Sequence, residues 1–462
     1  MTKFWLLVTL LTCLVSFSTA GLQDDVSACP SLPNFASFFP ELPKLGRRLR
    51  ICVPCCGIDG CGHALQAMNC PADMHNVYDL QASYKEALTH HFKEMGMEVI
   101  NLNLGQAAGN ILQVGLHQLQ KPIDFLVSGP PCPPWAGQGN RKGCYDKRAR
   151  VFMQVIKWVA YLIATGGLLG CILENVVGLT HCTADGHEPV SDKFLRALRR
   201  FCPQFSWRID RLELVNYLLP QTRVRVFIRG MRQIIAASVP DPLPAWGSTT
   251  LRSFLAPNMP HTPRKTFTKT QQKNIKDSEE LVKSSVKKGL LSMDDLVVTS
   301  ADRSHSEEMI YESKLTRNVC PTLTTHNVYL LIMSVKDIVN DVEDSEREFF
   351  RLFLLPERLQ LMGFPASVAL TLPKSRVVFA SGNAYPVPLI IATFFPMLLA
   401  LAESSLQLAE WPPCAEQETE VASSIDQLLK ALDSPGKIVD REKYAEANRA
   451  KRKRKCPGSE ED

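Results

Sequence analysis

Short apolar segments alternate with segments of helical length between residues 49 and 230, and this alternation restricts the fold more than any other feature. The strand candidates are "RLRICVP", "HNVYDL", "EVINLNL", "IDFLVSG" and "GLLGCILENV". The helix candidates between and after them are "SYKEALTHHFKEMG", "NILQVGLHQLQ", "DKRARVFMQVIKWVAYLIATGG" and "DKFLRALRRF". Buried strands that alternate with helices form a parallel sheet with right-handed crossovers. The sequence therefore predicts an α/β fold with helices on both faces of the sheet.

Residues with reactive or ligand-binding chemistry follow the ends of these predicted strands. The glycine turn "CCGIDGCG" (residues 55–62) follows the first strand, Asp79 ends the second, Cys132 follows the fourth and Glu174 ends the fifth. Ligands of parallel α/β sheets bind beyond the carboxyl ends of the strands. Four prolines flank Cys132 in "GPPCPPW" and restrict its backbone, which a nucleophile requires and a core cysteine does not. The pattern favours Cys132 as a nucleophile over a proline-rich turn that merely contains a cysteine.

The charge of the chain is modest overall but locally concentrated. The formal net charge of +5 over 462 residues does not by itself indicate a nucleic-acid partner. Residues 264–288 carry eight Lys and Arg against three acidic residues, with few apolar positions. This stretch predicts a mobile loop or arm that is either simply solvated or in contact with phosphates.

The cysteines indicate a reducing environment, whereas the two ends of the chain indicate different destinations. Fifteen cysteines over this length lack the density of a disulfide scaffold, and "CVPCCGIDGCGH" (residues 52–63) lacks the second ligand pair of a zinc site, so no metal is predicted. Residues 1–20 form a leader typical of secretory signals, and residues 451–455, "KRKRK", are typical of a nuclear localisation patch. We expect the nucleus, with an organelle or the secretory pathway as the alternative. No other segment has the length of a membrane span, and no stable membrane association is expected.

Six segments, in order along residues 48–400, resemble the DNA (cytosine-5) methyltransferase family. They are "GPPCPPWAGQGNRKGCYDKR", "LENV", "QTRVR", "CPTLTTH", "PERLQLMGFP" and "SGNAYPVPLI". The resemblance implies a Rossmann-like sheet that uses S-adenosylmethionine as methyl donor, together with a small target-recognition domain. It also implies DNA as the nucleic-acid partner, with RNA possible; the sequence does not indicate protein partners.

The family's chemistry explains why these residue types are present. Carbon 5 of cytosine is too electron-poor to attack a methyl sulfonium until a thiolate adds to carbon 6. The resemblance implies that Cys132 is that thiolate and that Glu174 donates a proton at ring nitrogen 3. It implies that Arg225 contacts the base or its phosphate. It also places Arg223 in the catalytic group, where Arg223 and Gln221 brace the loop. The base must be flipped out of the duplex to reach such a pocket.

The resemblance also assigns the donor site, although the sequence departs from the family pattern there. The assigned residues are Gly57, Gly60, Tyr78, Asp79, Pro131 and Asn383. Asp59 replaces the middle glycine of the family's Phe-x-Gly-x-Gly-Gly loop, Cys55 replaces its aromatic residue, and Val77 stands where many members have a ribose-binding glutamate. We expect the Asp59 carboxylate to lie where the carboxylate end of the donor would bind, and therefore expect weak donor binding.

The same segments predict the domain organisation and leave three other functions open. The predicted units are a leader (1–20), a linker (21–47), a catalytic domain in two parts (48–230 and 346–405), a target-recognition domain (231–345) and a helical, basic tail (406–462). The alternatives to DNA methylation are methylation of transfer RNA, a catalytically weak nucleic-acid-binding homologue, and a secreted cysteine-rich or zinc-binding protein.

Overall fold

The structure is a computed structural model that describes most of the chain. It covers residues 26–136, 146–165, 167–181, 188–302 and 315–404, with residues 406, 408 and 427 beyond them. The predicted leader, residues 137–145 of the cysteine-containing motif, and the basic run at 451–455 lie outside the described residues.

A seven-stranded sheet forms the centre of the protein. Its strands are β1 (Leu49–Pro54), β2 (Ala72–Asp79), β3 (Leu102–Leu104), β4 (Phe125–Ser128), β5 (Gly170–Val176), β6 (Phe205–Glu213) and β8 (Val224–Arg232), in the order β3-β2-β1-β4-β5-β8-β6. The first five strands are parallel, as the alternation predicts, and β8 runs antiparallel to both of its neighbours. The antiparallel strand therefore begins where β5 ends.

Helices cover both faces of this sheet, which confirms the predicted α/β class. Those of the first part of the chain are α1 (Gly60–Ala67), α2 (Lys85–Glu94), α3 (Gly105–Ala108), α4 (Ala149–Thr165) and α5 (Val190–Phe201). Side chains of β1 alternate between two hydrophobic clusters: Ile51 packs in the cluster that contains α1 and α2, and Cys52 in the cluster that contains α4 and α5. The predicted helix "NILQVGLHQLQ" is instead two short 3₁₀ turns, Ile111–Gln113 and Leu116–Gln118, separated at Gly115.

A smaller antiparallel sheet lies in the second part of the chain. It contains β9 (Leu296–Ser300), β10 (Leu315–Arg317), β12 (Leu330–Ser334) and β13 (Phe350–Leu352), in the order β10-β9-β12-β13. The basic stretch that the sequence predicts as a mobile loop is largely a helix, α6 (Lys269–Lys287), followed later by the short α7 (Val335–Val339). Thr268 and Gln271 form a capping box at its start, and Ile275 and Val282 are buried one above the other, so its lysines lie on an anchored surface.

The closing elements return the chain to the central sheet. They are β7 (Gln221–Thr222), which pairs with β11 (Cys320–Pro321), and the helices α8 (Leu355–Gln360), α9 (Lys374–Asn383) and α10 (Val387–Glu403). No single helix among the described residues is long and apolar enough to cross a membrane, although α9 and α10 pass that test together as a pair bent by 45°. Most side chains of α10 are buried, and many of them lie in the hydrophobic cluster that contains α1 and α2.

Candidate active site

The carboxyl ends of β1, β2, β4 and β5 bring the predicted site residues to one edge of the sheet. The glycine turn (residues 55–62) leaves β1, and the cysteine loop (residues 129–136) leaves β4. Because β8 is antiparallel to β5, its first residues lie beside the last residues of β5, and Arg225 is in register with Val176. Arg225 and Glu174 are therefore diagonal neighbours on the same face of the sheet.

Glu174 and Arg225 form a buried ion pair at this edge. The Nε atom of Arg225 lies 2.8 Å from Oε1 of Glu174, and each side chain is only 10% exposed. Burial raises the pKa of Glu174, while Arg225 and then Arg223 oppose the rise. The carboxyl group thus holds its proton to higher pH than an exposed glutamate does.

The cysteine loop is held in place by backbone and side-chain hydrogen bonds. The carbonyl oxygen of Cys132 accepts from the N–H groups of Trp135 and Ala136, each at 3.0 Å. Asn175 Nδ2 donates to the carbonyl oxygen of Pro130 at 3.2 Å. An added Cβ on Gly178 would lie 2.0 Å from the carbonyl oxygen of Trp135, so only glycine permits this approach of the two backbones. The half-buried Cys132 is therefore carried on a loop fastened to the end of β5.

The electrostatic surroundings of Cys132 connect it to the ion pair. Burial raises the pKa of the thiol, Arg225 and Arg223 lower it, and Glu174 raises it. All four residues assigned to the catalytic group thus interact electrostatically at one edge of the sheet. A positive neighbour favours the thiolate, which is the reactive form of cysteine.

Arg223 and Gln221 lie behind this group and connect separate segments of the chain. Arg223 is 2% exposed, and its guanidinium donates to the carbonyl oxygens of Leu323 at 3.0 Å and Ala384 at 2.7 Å. Gln221 Nε2 donates to the carbonyl oxygen of Leu361 at 2.7 Å, and its Oε1 accepts from the N–H of Leu323. Burial, with a further contribution from Arg225, lowers the pKa of Arg223 to about 9. These contacts give both residues the bracing geometry that the resemblance implies, while a direct catalytic contact by Arg223 stays a prediction.

The glycine turn and the end of β2 are held together through Asp79. The N–H of Gly57 donates to Asp79 Oδ2 at 2.9 Å, and Asp79 Oδ1 accepts from the N–H of Gln81 at 2.8 Å. Gly57 has a φ of +58°, and nothing lies within 4 Å of the position an added Cβ would take. The turn therefore leaves open space over its backbone, which suits the close approach of a ligand to peptide groups. The residues present fit a small-molecule donor at this point.

Asp59 is the residue of this turn that departs from the family pattern. Its side chain is fully buried and points into the protein, where Oδ1 accepts from the N–H of Gly62 at 2.9 Å and caps α1. Oδ2 lies 1.9 Å from the position of a Cβ on Gly62, a space that exists only because residue 62 is glycine. The carboxyl group is thus enclosed by the protein, and its expected position beside the carboxylate end of a bound donor stays a prediction.

The other predicted donor residues differ in accessibility. Tyr78 is 3% exposed, its hydroxyl accepts from Asn101 Nδ2 at 3.1 Å, and its ring packs edge-on against Trp158. Asn383 is exposed at the end of α9, and Pro131 is half-buried in the cysteine loop. Stacking of Tyr78 on adenine therefore stays a prediction that requires its surroundings to rearrange.

Tyr385 is a residue of this site that the sequence analysis missed. Its ring carbons lie 2.8 Å from the position of an added Cβ on Gly60 and 2.7 Å from that of one on Gly129, so the ring fills the space between the glycine turn and the cysteine loop. Its buried hydroxyl has no hydrogen-bond partner. The available signal was the tyrosine itself, which stands in "GNAYP" where the family motif has valine.

The cysteines near the site do not form a metal centre in the structure. Among the described parts of the chain, no group of three or more His, Cys, Asp or Glu side chains is arranged to hold a metal ion. The ten cysteines within these parts are free of disulfide bonds. Burial raises the pKa of Cys52 and Cys61, which keeps them as thiols.

Comparisons with known proteins match most of the chain to one family. The type II methyltransferase M.HgiCI of Herpetosiphon aurantiacus is 30% identical over 129 residues, 28% of this chain and 27% of that protein. M.MthTI of Methanothermobacter thermautotrophicus is 28% identical over 153 residues, 30% of this chain and 43% of that protein. These alignments span less than half the length of either relative. M.HaeII of Haemophilus aegyptius is 23% identical over 60% of this chain and 74% of its own.

The chain is also similar to solved structures of methyltransferases and matches one protein family over most of its length. A DNMT2 mutant of Spodoptera frugiperda has a TM-score of 0.48 at 16% identity, over 76% of this chain and 99% of that chain. S. pombe Dnmt2 methyltransferase has a TM-score of 0.45 at 16% identity, over 76% of this chain and 98% of that chain. The sequence pattern of C-5 cytosine-specific DNA methylases matches residues 54–395, from the end of β1 into α10. The chain belongs to this C-5 cytosine-specific DNA methylase family, whose methyl donor is S-adenosylmethionine.

Proposed function

We propose that the protein methylates carbon 5 of cytosine in DNA, as a DNA (cytosine-5-)-methyltransferase. The observation that carries this proposal is the position of Cys132 on a loop fastened to β5, beside the buried Glu174–Arg225 pair. Family membership and the relatives that are type II methyltransferases support DNA as the substrate.

Cys132, Glu174 and Arg225 each have a defined task in the proposed reaction. The Cys132 thiolate adds to carbon 6 of the flipped base, forming a sulfur–carbon bond and moving electron density to carbon 5. Glu174 holds a proton at ring nitrogen 3, which offsets the charge that develops as the thiolate adds. Arg225 keeps Glu174 in place and lowers the pKa of the thiol.

The reaction ends with release of the enzyme. S-adenosylmethionine, when bound, supplies an electrophilic methyl group to carbon 5. Transfer of the carbon 5 proton to water then allows the carbon 6–sulfur bond to break, which expels the Cys132 thiolate, returns the proton at ring nitrogen 3 to Glu174 and restores the aromatic ring. Gly57, with open space over its backbone, and the exposed Asn383 are the residues placed to hold the donor, while Gly60 is covered by the ring of Tyr385 and its role stays a prediction.

We also propose that α6, which lies within the predicted target-recognition domain (231–345), contacts the nucleic acid. Lys269, Lys273 and Lys276 are exposed at helical spacing along α6. Arg264 is not part of this exposed row, because it forms ion pairs with Glu279 and Asp344. A row of unpaired lysines on an anchored helix suits phosphate contacts without base specificity.

Methyl transfer from labelled donor to DNA and to RNA, measured side by side, tests the proposal. DNA methylation at carbon 5 is expected, together with covalent trapping on DNA that contains 5-fluorocytosine. Methylation confined to RNA would replace DNA with RNA as the substrate, and absence of both products and of trapping would contradict the catalytic function. The Cys132→Ser protein serves as the matched control.

We propose a nuclear location, supported by the basic run at residues 451–455 and by the need of Cys132 for a reducing compartment. The leader at residues 1–20 favours an organelle or the secretory pathway instead. Tagging the carboxyl end of the protein, with and without residues 1–20, distinguishes these locations. A secreted or glycosylated full-length protein would contradict the nuclear proposal.

A further inference from the structure

The cap of α1 is an acidic side chain enclosed by the protein. Asp59 adopts a left-handed backbone conformation with a φ of +60°, which turns its carboxyl group inward beneath the glycine turn. One oxygen accepts from the N–H of Gly62, and the other, Oδ2, has no hydrogen-bond partner. A buried carboxyl oxygen without a donor is costly, so its surroundings require an explanation.

A histidine side chain that also lacks a hydrogen-bond partner among the described residues lies close to this oxygen. His91 on α2 places its Nε2 atom 3.6 Å from Asp59 Oδ2, and this nitrogen is buried without a hydrogen bond. The ring of His63 stacks on His91, with 3.5 Å between ring centroids, and the edge of Phe364 packs on His63. The imidazole of His91 is thus fixed opposite the unpaired carboxyl oxygen.

The other titratable groups around Asp59 are neutral in this environment. Cys56 of the glycine turn, Cys61 of α1 and Tyr385 interact with Asp59 electrostatically, and burial raises the pKa of each. Burial likewise raises the pKa of Asp59 to about 7, against the effect of the hydrogen bond from Gly62. No Lys or Arg side chain among the described residues contributes to this pKa.

His91 is likewise uncharged at neutral pH. Burial lowers the pKa of His91 to about 3, with a further contribution from the exposed His90 on the same helix, and it lowers the pKa of His63. At 3.6 Å the two unpaired atoms are not hydrogen-bonded, but a proton on Asp59 Oδ2 makes this oxygen a donor to the neutral Nε2 atom of His91, so a closer approach of about 0.5 Å would satisfy both atoms.

We propose that Asp59 and His91 form a proton-held latch beneath the glycine turn, and that loss of the shared proton loosens the turn and weakens binding of S-adenosylmethionine. His91 is a positioning residue in this arrangement, because it acts on the donor site only through Asp59. The inference concerns donor binding and does not depend on whether the acceptor is DNA or RNA.

The direction of the pH effect follows from the raised pKa of Asp59. Burial raises the pKa of Asp59 in its enclosed position to about 7, whereas a solvated aspartate has a value of about 4. The stabilising contribution of the latch is fully present below the solvated value and is lost as the pH rises through about 7. From pH 6 to pH 8, loss of this contribution can therefore lower the affinity for S-adenosylmethionine by at most about tenfold, which corresponds to one pKa unit.

Calorimetric titration of the full-length protein with S-adenosylmethionine, without nucleic acid, measures this dependence. We expect the affinity to fall about three- to tenfold from pH 6 to pH 8. Asp59→Asn keeps the cap and offers its amide N–H to His91. Because asparagine does not titrate, the affinity of this variant for S-adenosylmethionine should not show this fall with pH. The ligand's own amino group titrates equally in both proteins, so the difference between them isolates Asp59. Parallel pH profiles for the two proteins would overturn the proposal.

Two histidine variants separate positioning from simple packing. His91→Phe keeps an aromatic ring against His63 but cannot accept the proton, so it should bind the donor more weakly than wild type at pH 6 and similarly at pH 8. His90→Gln removes the exposed neighbouring histidine and should behave as wild type. An equal loss at both pH values in His91→Phe would indicate a packing role alone.

A measurement of folding stability tests the latch even if the wild type or a variant does not bind the donor. The denaturant midpoint of the wild type should fall from pH 5.5 to pH 8 relative to that of Asp59→Asn, because only the wild type loses the latch proton. A constant difference between the two midpoints would contradict the latch whatever the donor does.

Discussion

Asn175 Nδ2 donates to the carbonyl oxygen of Pro130 at 3.2 Å, so the end of β5 holds the backbone of the loop that carries Cys132. Asn175 Oδ1 also accepts from the N–H of Val176 at 2.9 Å, which fixes the orientation of its amide. Asn175, which follows Glu174 on β5, thus positions the loop after β4 that carries the thiol of Cys132.

Asn175→Ala should lower kcat by tenfold or more with a smaller change in KM, because a displacement of about an ångström costs ~100-fold in rate. Asn175→Asp keeps the acceptor for Val176 but cannot donate to Pro130, and it should lose a similar amount. Steady-state methyl transfer measures both. Full activity in either variant would contradict the positioning role.

Cys132→Ser should abolish turnover and covalent trapping on fluorinated DNA while leaving most of the nucleic-acid affinity. The hydroxyl of serine is a far weaker nucleophile than a thiolate, and the loop contacts of residue 132 are made by its backbone. Gel-shift binding and trapping are measured on the same protein. Trapping by the variant at the wild-type level would remove Cys132 from the mechanism.

Glu174→Gln should lower turnover more than tenfold, because an amide cannot transfer the proton. Wild-type activity should pass through a maximum, since raising the pH forms the Cys132 thiolate but removes the proton of Glu174. The raised pKa of Glu174 moves this decline to higher pH than an exposed glutamate would allow. The variant should lack the decline at high pH, which a pH–rate profile checks. A variant profile with the same alkaline limb would assign that limb to another group.

Tyr385→Phe should leave the protein as stable as wild type or stabilise it by up to about 1 kcal/mol, since the buried hydroxyl has no partner to lose. Tyr385→Val, which introduces the family's residue, should destabilise it by about 2–4 kcal/mol because the space between Gly60 and Gly129 becomes a cavity. Denaturant unfolding measures both. A large loss in Tyr385→Phe would indicate a hydrogen bond to the hydroxyl.

Replacing Lys269, Lys273 and Lys276 together by glutamine should weaken DNA binding. The slope of log affinity against log salt concentration should also fall, by an amount that corresponds to the loss of up to three phosphate contacts. Lys283→Gln on the same helix is the control, because that lysine is already paired with Asp341. Binding titrations over a range of salt concentrations test this. An unchanged salt dependence in the triple variant would place the nucleic acid elsewhere.

The alternation of strands and helices was sufficient to predict the five parallel strands of the sheet, because each buried strand and its covering helix bear their own local periodicity. It did not predict that β8 pairs antiparallel with β5 and β6. The ordered motifs placed Cys132, Glu174 and Arg225 near strand ends for the same reason, since each motif lies within a few residues of one strand end. The helix α6 was predicted as a loop, because its polar composition concealed two buried apolar side chains and a capping box.

Contacts between distant segments were decided only by the tertiary structure. The sequence places Asp59 in a turn, but whether its carboxyl group faces the donor or the interior depends on the space that Gly62 leaves and on His91, some 30 residues away. The ring of Tyr385 likewise meets Gly60 and Gly129 only after α9 returns to the sheet. Local patterns record which face of an element is buried, whereas the direction of one polar side chain depends on partners that the fold brings together.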